Sequence, residues 1–440
     1  MPSLYTMRQL VLASLSVLSF ATIASSKSIF ISPQKDLAFG LNIPNGNSTS
    51  DLFFSIAFPA HISWAAVGLG GSTMAANPLI LMAYPSSSGR NVTISPRRSH
   101  GHTEPVYDPS ISVRALPGTG LVNETTFLFN GVCNNCRTWS GDGKLDISST
   151  AQEMSYSTGP SGDTRSDDPA ESVKVHWNYG SFTMDLVHAT TSGTSDDDNI
   201  PILKNSTTST GTVTKLAKTN HMDTRATLHA VLMILVIVGM WPFGILVLKV
   251  GGSVKWHAIN QVVAFAVFLI GAILGFVISG SYNRSKNFNT AHQILGIFIF
   301  IFAIAQLTLG FLHHRIFKKT QQTTKFAPIH VWLGRIIIPL GVANGFTGFP
   351  LALSPYYNYI LLGVILFVIP VFFFVLLVKK VWKRFVRSSS STGKDAEMEG
   401  EQNGYVMEPW RQQQPAGYVG RDPETPVRVG VPSQGARQFV

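Results

Sequence analysis

Hydrophobic residues are distributed differently in the two halves of the chain. Between residues 27 and 190, short apolar runs such as 52–58, 62–69 and 79–84 alternate with clusters of Gly, Pro, Asn and Ser, and no stretch keeps a helical period. Short strands at this spacing are typical of an all-β sandwich. We therefore predict a β-sandwich domain over residues 27–190.

The second half contains five long apolar segments. Each is close to the roughly 20 residues that a helix needs to cross the hydrocarbon core of a bilayer. They predict an all-α, five-helix transmembrane bundle in a domain over residues 225–385, so the fold class is multi-domain. The segments lie at about 226–249, 258–279, 291–312, 329–351 and 357–378.

Three further segments, one at each end of the chain and one between the two domains, differ in composition from both domains. Residues 1–26 carry Arg8 and an apolar run too short to span a bilayer, which predicts a cleaved signal peptide, with a non-cleaved anchor as the alternative. Residues 191–224 are polar and rich in Ser and Thr, which predicts a linker. Residues 386–440 are rich in Gln, Gly and Pro, and we expect a disordered cytoplasmic tail.

Composition agrees with a membrane protein. Charged residues make up 13% of the chain and hydrophobic residues 45%, which excludes a disordered chain and a cytosolic enzyme without spans. The net charge of +10 is expected of a protein that concentrates Lys and Arg in its cytoplasmic loops. We therefore predict a lipid bilayer as a partner and no nucleic acid.

Charge and sequons predict the orientation. The signal peptide places the β domain outside, so the basic loops at 249–257 and 313–325 and the basic stretch after residue 378 lie inside, as the positive-inside rule requires. We expect a glycoprotein of the secretory pathway, in the plasma membrane, with its N-terminal domain outside. Five Asn-X-Ser/Thr sequons fall on that side, at Asn47, Asn91, Asn123, Asn205 and Asn283.

The chain has two cysteines, Cys133 and Cys136. Two thiols exclude a disulfide-rich scaffold and a four-thiolate zinc site. Both fall in the domain predicted to lie outside, where disulfides persist, and the thioredoxin-like βαβ setting of a redox motif is absent. We therefore predict a short disulfide loop.

Four histidines lie near the starts of the first four spans, at His229, His257, His292 and His330. Because successive spans alternate in direction, His229 and His292 fall near the outer face, and His257 and His330 near the inner face. Two imidazoles that face each other in a helix bundle can supply both axial ligands of a six-coordinate haem iron. The alternative is that some of these histidines only form hydrogen bonds at the interface.

The surroundings of these histidines resemble the cytochrome b561 family over roughly residues 221–385. The resemblance is carried by MWPFGILVLK after His229, by His257 at the entry to the second span, by AHQILG around His292 and by HVWLGR from His330. It implies two bis-histidine b haems, in the pairing that topology also predicts. Many family members take electrons from ascorbate inside, bound by basic residues. The candidates for that role, with membrane anchoring as the alternative, are Lys249, Lys255, Lys325 and Arg335.

Two stretches of the β domain resemble the DOMON domain, in the form found as the cytochrome domain of cellobiose dehydrogenase. They are Trp64–Met74 and His176–Phe182, the latter followed by Asp185 and Leu186. The resemblance implies a third b haem, held by Met74 and His176. The chain departs from the usual pattern at Asn77 and Tyr179. Alternative ligands are Met82, Met154, Met184 and His188.

The sequence thus predicts an oxidoreductase of the electron-carrier or ferric-reductase type, with haem iron as its redox centre and no further catalytic residue. A cytosolic small-molecule donor would supply electrons to an extracellular acceptor, such as ferric iron, a quinone or a copper oxidase. One alternative is a non-catalytic surface receptor with a β-sandwich ligand module. Another is a metal transporter, although such proteins bind their substrate near the midplane of the membrane. The sequence is compatible with a homodimer.

Overall fold

The computed structural model describes residues 27–45, 50–99, 101–162, 164–191, 195–220 and 223–391, without the side chains of 386–391. The predicted signal peptide and all but the first residues of the predicted tail lie outside the described residues.

The N-terminal half is a sandwich of two sheets, as predicted, and all strand pairs are antiparallel except β15 with β2, which are parallel. The first sheet has the order β1-β2-β3-β10-β8, with β15 beside β2 and β9 beside β10. The second has the order β16-β14-β13-β4-β5-β6-β7, and β11 and β12 form a separate hairpin. The strands are β1 Ser28–Ile31, β2 Ala38–Pro44, β3 Leu52–Pro59, β4 Ala65–Leu69, β5 Leu79–Pro85, β6 Val92–Arg98, β7 Val106–Tyr107, β8 Ser112–Ala115, β9 Gly120–Val122, β10 Thr126–Asn134, β11 Thr138–Trp139, β12 Gly143–Lys144, β13 Gln152–Thr158, β14 Asn178–Met184, β15 Thr190–Thr191 and β16 Val213–Thr219.

The two sheets enclose one apolar core. Alternate residues of each strand point inward, because the side chains of a strand alternate between its two faces. Phe30 of β1 stacks on Phe182 of β14 with ring centroids 3.7 Å apart, which joins the sheets. Met154 and Met184, two of the alternative haem ligands, are fully buried in this core. They are core residues.

The predicted linker is wrong over most of its length, because residues 195–219 pack on the sandwich. The segment begins with the short helix Asp196–Asn199, where Asn199 accepts hydrogen bonds from the buried Asn42. It ends in β16, which pairs with the edge strand β14 from Asn178↔Thr219 to Thr183↔Val213. Pairing along β14 satisfies backbone groups that a sheet edge would leave open. The outer domain therefore has no free tether of 30 residues.

The C-terminal half contains five helices long and apolar enough to span a membrane, as predicted. The first is interrupted, with α-helix at Thr224–Ile234, a π-helix at Leu235–Met240 and α-helix again at Trp241–Gly251. The other four are continuous. They are Val254–Ser279, Ala291–Thr320, Phe326–Leu351 and Tyr357–Ser391. The first two spans pack as one hairpin, and the third and fourth as another.

Side chains of the second span support the interruption of the first. Pro242 has no N–H and lies two residues after the π-helix, so the regular hydrogen-bond ladder is broken there. Asn260 donates to the carbonyl of Met240 at 2.7 Å, and Gln261 donates to that of Trp241 at 3.3 Å. In lipid such carbonyls have no water to bind, so polar side chains of the neighbouring helix must satisfy them.

The packed position of β16 can be tested with Gly180 of β14. An added Cβ at Gly180 would lie 1.9 Å from the carbonyl oxygen of Leu216 in β16. We predict that the wild-type full chain resists trypsin at Lys215 and Lys218, and that Gly180→Ala admits cleavage there, mapped by mass spectrometry. Ser181→Ala, the matched control on the next residue, should behave as wild type. Rapid cleavage of the wild-type protein at both lysines would show that the segment is a free linker after all.

Candidate functional site

The four histidines predicted to bind haem in the bundle, His229, His257, His292 and His330, are oriented by the same kind of contact. In each ring Nδ1 lies within hydrogen-bond distance of a backbone carbonyl on the neighbouring span of the same hairpin. A carbonyl only accepts, so Nδ1 carries the proton and Nε2 keeps its lone pair, the form in which imidazole binds a metal. The pairs are His229 with Gly271 at 2.7 Å, His257 with Gly244 at 2.8 Å, His292 with Asn344 at 2.9 Å and His330 with Gln306 at 3.1 Å.

The structure brings the rings of His229 and His292 close together. Their ring centroids are 6.1 Å apart, and the ring planes are almost perpendicular at 88°. Two imidazoles that each bind one metal through nitrogen at about 2 Å have centroids about 6 Å apart. Both rings line one cavity of about 700 Å³, within the usual range of cofactor sites. The spacing, the free Nε2 atoms and the cavity fit a bis-histidine haem.

Glycines allow the rings to reach these carbonyls. An added Cβ at Gly275 would lie 2.8 Å from Cε1 of His229, and one at Gly348 would lie 2.7 Å from Cε1 of His292. Each glycine follows the accepting residue, Gly271 or Asn344, by four positions. One helical turn separates them, so any side chain there would stand between ring and carbonyl. Gly310 is related in the same way to Gln306 and His330.

The site around His257 and His330 is arranged differently. Gln306 contacts His330 twice, through its carbonyl and through Nε2, which lies 3.5 Å from Nε2 of His330. Its Oε1 is buried and has no hydrogen-bond partner within the described residues. The Gln306 side chain therefore occupies the space beside the nitrogen that would bind a metal, and it must turn aside for His257 and His330 to share one.

The two pairs lie at different depths with an aromatic layer between them. Fourteen residues of the third span separate His292 from Gln306, which is about 21 Å at a rise of about 1.5 Å per residue. Phe268 lies between the two levels, with its ring centroid 5.2 Å from Trp241 and 6.2 Å from Phe300. The two histidine sites are thus separated by packed rings rather than by polar groups.

The β domain is joined to the bundle through a buried carboxylate. Glu104, in the loop between β6 and β7, accepts backbone N–H groups from Val173 of its own domain and from Asn283 of the bundle, both at 2.8 Å. Its side chain is 3% exposed and lies 3.9 Å from both Arg97 and Arg284. Arg284 continues the contact, since it donates to the carbonyls of Leu351 and Val173 at 2.6 and 3.2 Å. The interface holds the β domain over the end of the bundle that contains His229 and His292.

His176 therefore lies in the same cavity as the outer histidine pair, which the sequence did not predict. Trp177 and Asn220 line the cavity beside it, and Nδ1 of His176 is 3.4 Å from Nδ2 of Asn220. Burial lowers the pKa of His176, which keeps the ring neutral and able to bind a metal.

Met74 does not lie beside His176. It occupies the short 3-10 helix Met74–Ala76 that follows β4, whereas His176 precedes β14. In the register of the sheet, Leu69 at the end of β4 is level with Met154 and Phe182, while Ala65 is level with Thr158 and Asn178. The two predicted ligands thus lie beyond opposite ends of the same strands. A haem bound by both side chains would have to lie over the face of the second sheet, between the two ends of these strands.

Of the remaining alternative ligands, Met82 is buried with Trp64 and Tyr84 in a second apolar cluster. His188 lies on the surface, with its Nδ1 2.6 Å from a carboxylate oxygen of Asp185. Neither faces the cavity that holds His176.

The candidate donor-binding residues are all exposed, and Arg335 lies on a different face of its helix from His330. Arg335 follows His330 by five residues, which turns it about 140° around the helix. Its guanidinium lies over the exposed ring of Trp332, 4.9 Å from the centroid. Such a pair anchors a helix at a membrane surface. The lysines Lys249, Lys255 and Lys325 lie at the exposed ends of the first, second and fourth spans.

The sequence predicts one disulfide and five glycosylation sites in the outer part of the chain. Cys133 and Cys136 form the predicted disulfide. Asn91, Asn123 and Asn205 are exposed, and Asn47 lies outside the described residues. Asn283 is different, because its Nδ2, the atom that would carry a glycan, donates to the carbonyl of Pro105 at 3.1 Å in the domain interface. Glycosylation of Asn283 is therefore incompatible with the docked β domain, and this prediction is wrong for the structure described.

Comparisons with known proteins agree with this architecture. Residues 16–193 match the family model of the cytochrome domain of cellobiose dehydrogenase, and residues 228–354 match that of eukaryotic cytochrome b561. A similar solved structure is the cytochrome b domain of pyranose dehydrogenase from Coprinopsis cinerea, with 20% identity over 37% of this chain and 84% of that chain and a TM-score of 0.34. Another is the cytochrome domain of cellobiose dehydrogenase from Myriococcum thermophilum, with 21% identity over 37% and 83% and a TM-score of 0.32. The two family matches confirm both resemblances, and domains of both families bind haem b.

The glycines predict a specific defect. Gly275→Ala and Gly348→Ala should weaken haem binding roughly tenfold, because the added methyl group overpacks a site where about 1–3 kcal/mol is the usual cost. The measurement is the haem absorbance per protein in the purified full chain. Gly363→Ala in the fifth span, where no atom lies within 4 Å of the added Cβ, is the matched control. Equal haem content in all three variants would contradict this role of the glycines.

Proposed function

We propose that this chain, which matches the family models of the cytochrome domain of cellobiose dehydrogenase and of eukaryotic cytochrome b561, carries electrons across a membrane from a cytosolic reductant to an extracellular acceptor. Both parts are of families that bind haem b, and haem supplies reversible one-electron transfer when it is bound. Among the described residues, five helices are long and apolar enough to span a membrane, which fits an integral membrane protein. The proposal therefore concerns the number of haems, their ligands and the direction of transfer.

One observation carries the proposal, which is the arrangement of His229 and His292. Two neutral imidazoles at 6.1 Å, each fixed by a backbone carbonyl, offer both axial positions of one iron. An iron with both positions filled has no open site for oxygen or substrate, so it suits electron transfer. A surface receptor or an adhesive module has no need of such a pair.

His257 and His330 provide a second pair at the opposite end of the bundle. Each ring is held by a carbonyl of its hairpin partner, as in the first pair. Two redox centres about 20 Å apart in depth would then divide the thickness of the membrane, with Trp241, Phe268 and Phe300 packed between them. The packed rings exclude water from the interior and hold both pairs at fixed positions.

His176 supports a third centre in the β domain. It lies in the cavity that also holds the outer pair, so electrons that leave this pair have a short way to the β domain. The family resemblance implies Met74 as the second residue that would hold this haem, although Met74 and His176 lie beyond opposite ends of the same strands. Thioether ligation raises the potential of a haem relative to bis-histidine ligation, which favours transfer outward.

The charge of the loops supports the direction. Lys249, Lys255 and Lys325 lie on the side of the bundle away from the β domain and would face the cytosol under the positive-inside rule. They would attract an anionic donor such as ascorbate to the pair His257 and His330. Arg335 has no part in this, since it faces Trp332. The acceptor would dock on the β domain, and ferric iron is one candidate.

The pairing predicts the outcome of histidine substitutions. His229→Ala and His292→Ala should each remove one of the two membrane haems, and the double variant should lose no more than either single variant, because both rings hold the same iron. The measurement is haem per protein and the reduced-minus-oxidised spectrum. His188→Ala, on the surface of the β domain, is the control. Loss of two membrane haems in the double variant would contradict the pairing.

The direction predicts the effect of the lysines. In vesicles of known orientation, ascorbate trapped on the side of the basic loops should reduce an impermeant ferric chelate on the other side. Replacing Lys249, Lys255 and Lys325 together by Ala should slow this reduction by roughly two- to fivefold per exposed charge at low salt, and the difference should shrink at high salt. Arg335→Ala is the matched control and should have the wild-type rate.

Reduction from the opposite side only would contradict the proposed direction. If ascorbate supplied only from the side of the β domain reduced the protein, and trapped ascorbate did not, the proposed direction would be wrong.

A further inference from the structure

The cavity at the outer histidine pair has a cationic end, and the roles assigned so far leave its Lys174 without a function. Lys174 and Arg284 both line it, together with His229 and His292. Lys174 belongs to the β domain and Arg284 to the loop between the second and third spans. Two cations from different domains therefore meet where the β domain covers the bundle.

The charges around these cations do not balance. Arg284 shares the carboxylate of Glu104 with Arg97, at 3.9 Å from each. Asp223, whose carboxylate lines the cavity, accepts hydrogen bonds from Tyr282 and from the first turn of the first span. Lys174 forms no hydrogen bond or ion pair through Nζ within the described residues. A half-buried ammonium without a partner is costly, so an anion at this end of the cavity would stabilise it.

The position of Lys174 supports the same conclusion. The backbone of Lys174 is fixed, because Trp64 donates its indole N–H to the Lys174 carbonyl at 3.2 Å. The side chain is thus presented to the cavity by a rigid part of the sandwich, beside Val173, which Glu104 and Arg284 both contact.

A haem offers the matching anion, because its two propionates lie on one edge of an otherwise apolar ring. We propose that Lys174 and Arg284 bind the propionates of the haem held by His229 and His292, so that the β domain completes a binding site of the membrane domain. This inference rests on the proposed function. It assigns to the β domain a structural role in the membrane site, separate from any haem of its own.

Lys174→Ala in the full chain is the test, with haem transfer to apomyoglobin as the readout. Loss of one charge-assisted hydrogen bond should speed dissociation of the outer membrane haem roughly tenfold. Lys174→Arg should restore the wild-type rate. Lys218→Ala, on exposed β16 outside the cavity, is the control. The midpoint potential of this haem should also fall in Lys174→Ala, because a nearby cation favours the reduced state.

Reconstitution with haem dimethyl ester, whose propionates are neutral, identifies the anion. With the ester, wild type and Lys174→Ala should release haem at the same rate. A persistent difference with the ester would overturn the proposal, because Lys174 would then act through packing or through a free carboxylate ligand. Equal rates with native haem would also overturn it, while an intact bis-histidine spectrum would leave the proposed function standing. Absence of that spectrum in the wild type would instead refute the proposed function.

Discussion

The structure depends on one requirement of an imidazole buried in a membrane. One ring nitrogen must donate its proton in a hydrogen bond, while the other must stay free to bind a metal. An unsatisfied polar group in the hydrocarbon region costs several kcal/mol. The chain meets this need four times with a carbonyl from the neighbouring helix of the same hairpin. Each hairpin thus fixes its own two rings. Packing of the two hairpins then brings His229 to His292, so the pair forms only when the bundle is complete.

The second constraint is the contact between the two domains. Glu104 is a single buried carboxylate between Arg97 and Arg284, and it also accepts a backbone N–H from each domain. Removal of Glu104 would leave two buried cations, an arrangement that typically costs about 3–5 kcal/mol. The contact holds the β domain over the outer pair, and β16 is paired to the sandwich rather than free. Under the proposed function, transfer between the domains would then be a short fixed step.

The sequence predicted the elements and the closeness of His229 to His292 because both follow from local patterns. Apolar length gives the spans, and alternating helix direction gives the pairing. Prediction from the sequence failed where contacts between residues far apart in the chain determine the structure. Residues 191–224 are polar and therefore do not show the apolar alternation of a strand. β16 forms there nevertheless, because it is an exposed edge strand and needs no apolar face. The sequon at Asn283 reveals nothing of Pro105 from another domain. The glycines four residues after Gly271, Gln306 and Asn344 were visible in the sequence, but their meaning requires the rings beside them.

The central claim is that His229 and His292 bind one iron from opposite sides, and electron paramagnetic resonance of the ferric full chain tests it directly. Two nearly perpendicular imidazoles, as at 88° here, give a low-spin ferric iron with strongly anisotropic g values. The account predicts this signal from the outer site of the purified protein. A high-spin signal from that site, with an open or water-bound position on the iron, would contradict it.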